Sequence, residues 1–203
     1  QRVLRTQPVR IPYELVTTIF GEKTRLILMS GTIDKFDINE LLPGKKVDLH
    51  IVDALAPVEN RLIILKPNTV RRSIPESVQK IAQCYQKHDK PNTLVHVTYG
   101  DMASYYKHLT AKGLKVLKHT KETKAEVIEQ FKKEGGILLG AGMAEGVDLP
   151  HDLCRMVIVP RLPYPYLGDE GVQNRQALPN GDMWYKLTTI KTFIQQVGRG
   201  VRG

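Results

Sequence analysis

The chain has 203 residues, 41% hydrophobic and 25% charged, an ordinary globular composition with enough material for one core or one core plus an appendage. No apolar run approaches the roughly 18 residues that a membrane-spanning helix needs. Lys and Arg total 30 against 21 acidic residues, a net charge of +9, which favours a polyanionic partner, nucleic acid being the commonest.

The N-terminus, from Gln1 to Arg5, has no apolar segment of the signal-peptide kind and no initiator Met, so the chain is expected to be a piece of a longer protein. The two cysteines, Cys84 and Cys154, and the scattered histidines lack metal-ligand spacing; a reduced cysteine pair and no metal site are expected.

In chain order, Val16 to Phe20 closes a helical pattern, and the apolar run at residues 26–30 predicts a buried strand leading into Ser30-Gly31-Thr32. The turn-rich stretch from Asp34 to Pro57 reads as a linker, with a lobe boundary placed near residues 33 to 45. Residues 62–65 predict a strand. Ser73, Pro75 and Glu76 form the start of a capped helix whose inner face is Val78, Ile81, Ala82 and Tyr85. A strand at 94–98 follows, then a helix from Met102 to Ala111 ended by Gly113, and a short strand at 115–118. The next helix runs from Glu122 to Lys133 with Ala125, Ile128 and Phe131 facing in, and strands follow at 136–140 and 156–160. Met183, Leu187, Ile190, Ile194 and Val197 form the apolar stripe of a last helix. Near-continuous apolar strands alternating with amphipathic helices predict an α/β domain, a mostly parallel sheet with helices on both faces.

Four segments carry candidate chemistry. Gln195, Arg199 and Arg202 lie at i, i+4 and i+7, on one helical face, with Gly198 between them. Two guanidiniums there suit either a phosphate clamp or a helix end that complements its dipole. After the strand at 136–140, Gly140, Gly142 and Gly146 make a permissive loop. Met143 and Ala144 suit contact with a nucleic-acid backbone, and Glu145 and Asp148 suit binding a ribose hydroxyl or orienting the arginines; a tight β-to-α turn with Asp148 as a helix cap is the alternative. Thr98-Tyr99-Gly100-Asp101 suits either phosphate binding or helix capping. Arg161 to Tyr166 is a Pro/aromatic loop that suits base stacking or a rigid packed turn.

In this order the pieces resemble the XPD/DinG group of superfamily 2 DNA helicases. Ser30-Gly31-Thr32 is similar to motif III, Leu94 to Tyr99 to motif IV, Glu145-Gly146-Val147-Asp148 to motif V, and Gln195 to Arg202 to motif VI. The stretch Val159 to Tyr164 is similar to the DinG side. The resemblance implies a RecA-like three-layer domain. Residues 1–40 would be the tail of a first motor lobe, and residues 41–203 the second lobe.

It further implies arginine fingers at Arg199 and Arg202. Gln195, Gly198, Glu145, Gly146 and Asp148 would lie at the nucleotide cleft, and Thr98, Tyr99, Met143, Ala144 and Arg161 would face single-stranded DNA or a forked duplex. ATP and Mg2+ would be held mainly by the first lobe of the same polypeptide. The implied location is cytoplasmic or nucleoid-associated, and the implied setting DNA repair. The chain has no G-x-x-x-x-G-K-[ST] loop, no D-E-A-H-type run and too few cysteines for the group's iron–sulfur cluster, so by itself it is not expected to hydrolyse ATP. A non-catalytic nucleic-acid-binding RecA-like module is the alternative.

Overall fold

The computed structural model describes residues 18, 21, 27, 29–30, 32–51, 73–143 and 147–198. Among them the elements run α1 (Lys35–Leu41), α2 (Ile74–Lys87), β1 (Thr93–His96), α3 (Tyr99–Thr110), β2 (Val116–Leu117), α4 (Lys124–Glu134), β3 (Ile137–Gly140), β4 (Met156–Ile158), α5 (Glu170–Gln176) and α6 (Gly181–Val197). Two compact units form, Gln1–Asp53 with Tyr164–Lys191, and Ala54–Pro163 with Thr192–Gly203.

The described residues of the second unit form one four-stranded sheet of order β2-β3-β1-β4, every pairing parallel. Leu94 of β1 lies opposite Leu138 of β3 and Val157 of β4. Alternate strand residues serve opposite faces. Val95, Ile137 and Leu139 pack with Val78, Ile81 and Tyr85 of α2 and Met102, Tyr105 and Leu109 of α3. Leu94 and Leu138 pack on the other face with Phe131 of α4, Met143, Leu149 and Cys154. This is the predicted three-layer α/β arrangement, and a sheet covered on both faces explains why its strands read as unbroken apolar runs.

Local chemistry sets the helix ends. The Ser73 hydroxyl accepts from the Glu76 N–H while the Glu76 carboxylate accepts from the Ser73 N–H, the expected capping box. α4 stops at Gly135, whose φ of 65° suits a residue without a Cβ. At the opposite end of the strands from the candidate loops, Asn92 ties three of them together. Its side-chain carbonyl accepts from Gly136 N–H at 3.2 Å and its backbone carbonyl from Met156 N–H at 3.2 Å.

In the first unit, α1 is capped by Asp34, which exchanges hydrogen bonds with Asp37 at both ends of the box. Lys191 of α6 pairs with Asp34 at 3.1 Å and with Asp37, and Arg175 of α5 pairs with Glu40 while its guanidinium lies 5.5 Å from the Trp184 ring. Tyr164 stacks on Tyr185 at 5.5 Å, and the Tyr185 hydroxyl donates to the Pro165 carbonyl at 3.0 Å.

Several expectations need correction. The stretch from Asp34 is not all linker: it opens with α1, a helix whose partners lie more than 130 residues away in sequence, so no local pattern announces it. Helix α5, capped by the Asp169 carboxylate, was not expected. No strand forms at the described residues of 26–30, where Ile27 and Met29 are 85% and 92% exposed. The strand expected at 62–65 and the helix end at Val16 to Phe20, Thr18 apart, lie outside the described residues. On α4, Ala125 is exposed and Val127 packs inward with Ile128 and Phe131. On α6, Met183, Ile190 and Ile194 face solvent rather than a core.

Candidate functional site

A parallel sheet gathers the loops after its strands along one edge, which is where ligands of open α/β sheets sit. Here the strand order places the loops in the sequence β2 end (Lys118, His119), β3 end (Ala141 to Met143), β1 end (Val97, Thr98) and β4 end (Val159 to Arg161). Segments far apart along the chain therefore become neighbours in one row.

Thr98 caps α3: its hydroxyl accepts from the Asp101 N–H at 3.1 Å. The capping role thus falls to Thr98 and not to Asp101, and α3 begins at Tyr99, three residues before the expected start. Freed from capping, the Asp101 carboxylate pairs with the Arg161 guanidinium at 3.7 Å, joining the β1 and β4 loops. Tyr99 is exposed at the first turn of α3, its ring edge-on to His119 at 5.8 Å and 77°. Gly142, with φ 60°, lies beside it: a Cβ there would stand 3.7 Å from the Tyr99 ring.

A surface groove of about 440 Å³ opens next to Tyr99, lined also by Met102, Lys118, His119, Lys121 and Thr123. Lys118 lies 4.5 Å from the Tyr106 ring, and Lys124 donates to the Gly142 carbonyl at 2.9 Å. The edge therefore offers an exposed aromatic, several ammonium groups and the capping hydroxyl of Thr98, the chemistry that suits stacking bases and phosphates.

The expected residues fare differently. Thr98, Tyr99 and Arg161 lie on this edge and are exposed. Met143, expected to face nucleic acid, has 0% exposure and packs with Leu94 and Phe131, because an apolar thioether at the start of the loop gains more from the core than from solvent. Asp148 is exposed between buried Val147 and Leu149. Gln195 is half-buried on the last turn of α6, and Gly198 follows the helix end. Ala144, Glu145, Gly146, Arg199 and Arg202 lie outside the described residues, as does Gly31 of the Ser-Gly-Thr run. The sequence reading missed Lys118 to Lys124; the signal was present as a Lys/Thr-rich run directly after a short apolar strand.

Among the described residues no cluster of His, Cys, Asp or Glu could hold a metal ion, and no helix is long and apolar enough to cross a membrane.

Over 158 aligned residues the chain is 26% identical to a probable ATP-dependent helicase from Methanocaldococcus jannaschii, an alignment that covers 69% of this chain and 24% of that protein. The chain spans about a quarter of the length of that curated relative. Residues 75–203, which include the whole sheet and all four edge loops, match the family model described as the helicase C-terminal domain, and the chain belongs to that family.

Proposed function

We propose that this chain is the C-terminal motor lobe of an ATP-dependent DNA helicase of the XPD/DinG kind. In this reading it couples ATP hydrolysis on a first RecA-like lobe to movement along single-stranded DNA. The observation that carries the reading is the single edge on which Thr98, Tyr99, the 141–143 backbone and Arg161 are gathered by the order β2-β3-β1-β4. It is supported by family membership and by the similarity to a probable ATP-dependent helicase.

The donor set of this chain fits only part of a nucleotide site. Guanidiniums at Arg199 and Arg202 and the carboxamide of Gln195 suit phosphate oxygens, but there is no phosphate loop to cradle them. ATP with Mg2+ therefore rests mainly on the first lobe, and supplies there the phosphoryl group whose transfer drives the motor. What this chain contributes is charge: Arg199 and Arg202 stabilise the negative charge that builds on the transferring group, with Gln195, Gly198, Glu145, Gly146 and Asp148 at the rim of the cleft. Single-stranded DNA, or the single strand of a forked duplex, lies across the sheet edge with a base against Tyr99 and phosphates near Thr98, Ala144 and Arg161.

The test is DNA-stimulated ATP hydrolysis by the intact protein. Arg199→Ala and Arg202→Ala are each expected to lower turnover by about 10³-fold, the lower end of what an arginine finger contributes, with ATP and DNA binding kept. Wild-type turnover in either variant would overturn the finger assignment. An intact protein that binds the strand and shows no turnover would replace the motor with a non-catalytic binding module.

A further inference from the structure

The β2 strand is only two residues long, and the residue that leaves the sheet after Lys118 is buried. His119 has 4% exposure and makes two hydrogen bonds. Its Nδ1 lies 2.7 Å from the Thr120 carbonyl oxygen, and its Nε2 lies 3.2 Å from the Ala141 backbone nitrogen. A carbonyl can only accept and an amide N–H can only donate, so Nδ1 carries the proton and Nε2 is bare. The bond matters because Ala141 is itself buried, one residue beyond the last β1–β3 pair, His96 with Gly140. A buried backbone N–H needs an acceptor.

The same imidazole meets Tyr99 edge to face, and Tyr99 lies against Gly142, the residue after Ala141. One side chain thus touches the exposed aromatic at the start of α3 and the backbone that directly follows β3.

The geometry points to His119 as a positioning residue for strand binding: its neutral imidazole locks the Ala141–Gly142 backbone and the Tyr99 ring into one surface. The inference rests on the reading of this edge as the strand-binding face. The groove beside it is part of the same arrangement, because His119 is also among the residues that line it.

Two substitutions separate this role from ordinary core packing. His119→Phe keeps a ring against Tyr99 and removes the acceptor. His119→Gln keeps an acceptor within reach of Ala141 and removes the ring. The measurement is ATP turnover by the intact protein as a function of oligo-dT concentration, with strand-free turnover and the melting temperature recorded for each variant.

His119→Phe is expected to need about tenfold more oligo-dT for half-maximal stimulation, the consequence of leaving a buried donor unpaired, with maximal turnover changed far less than the oligo-dT requirement. His119→Gln is expected to recover to within about threefold of wild type. A wild-type oligo-dT requirement in His119→Phe, or a His119→Gln at least as impaired as His119→Phe, would overturn the assignment. Tyr99→Ala distinguishes the two levels of the argument. If it leaves the oligo-dT requirement unchanged, the strand-binding reading of the edge fails. If it raises the requirement while His119→Phe does not, only the role of His119 fails.

Discussion

Cys154 sits on the α4 face of the sheet with its thiol donating to the Met156 carbonyl at 3.4 Å. Burial pushes its pKa up to about 11, against the smaller opposing effect of hydrogen bonding with the Leu94 and Met156 backbone. The folded state therefore favours the neutral thiol. That stability is fully present below the unfolded thiol pKa of about 8.5 and is lost as pH rises from there towards 11. Burial also raises the Tyr85 and Tyr105 phenols, which extends the loss to higher pH. Urea midpoints measured from pH 7 to 11 should fall across this window, and Cys154→Ala should flatten the early part of the fall; an unchanged profile in the variant would remove Cys154 as its source. Met143 shows where sequence runs out at this scale. A Met after two loop glycines reads equally well as a strand contact or as core, and only the position of Phe131 and Leu94 around it decides.

At the scale of elements, α2 was readable because its signals are local: Ser73, Pro75 and Glu76 at one end and a helical apolar face behind them. Helix α1 was not, because its box uses two aspartates and its anchors are Lys191 and Arg175. Burial works to raise the Asp34 carboxyl, but the Asp37 N–H and the Lys191 ammonium outweigh it and hold the pKa below the ordinary carboxylate value. A depressed pKa contributes stability above the unfolded value, about 3.9, and that contribution is lost as pH falls below it. Asp34→Ala should cost about 1 kcal/mol in the folding of α1 and its neighbours, with the cost shrinking below pH ~4, as read by hydrogen exchange of the α1 amides. A cost that stays constant with pH would show that the charge on Asp34 is idle.

Helix α6 makes the complementary point. Its apolar stripe has the right helical period, yet Ile190 is 52% exposed, because period alone fixes which residues share a face and not what that face meets. Ile190→Lys should then shift stability by no more than about 0.5 kcal/mol, the usual range for a surface change, whereas a loss above about 2 kcal/mol would mean the stripe is buried.

For the molecule as a whole, alternating apolar runs and helical patterns were sufficient to give a parallel α/β sheet, since only strands covered on both faces read that way. The order β2-β3-β1-β4 was not legible, and it is the order that makes neighbours of Tyr99, His119 and Ala141. Charge is legible at once but says nothing of place: a net +9 is spread over the chain, and the fold sets Lys118 and Lys121 beside Tyr99 on one groove. Salt dependence separates the two contributions. Each phosphate neutralised on a single strand adds about 0.7 to the slope of log affinity against log salt, while stacking adds affinity of about 1–3 kcal/mol per base with no salt term. For the intact protein binding oligo-dT, Lys121→Ala should lower the slope by about 0.7 and leave affinity at high salt nearly unchanged. Tyr99→Ala should weaken binding at every salt concentration by about tenfold with the slope preserved, as expected of a lost stacking platform. If Tyr99→Ala instead changed the slope and Lys121→Ala did not, the groove would not be reading backbone and base in the way its chemistry requires. The +9 charge would then act only as a diffuse attraction over the whole surface.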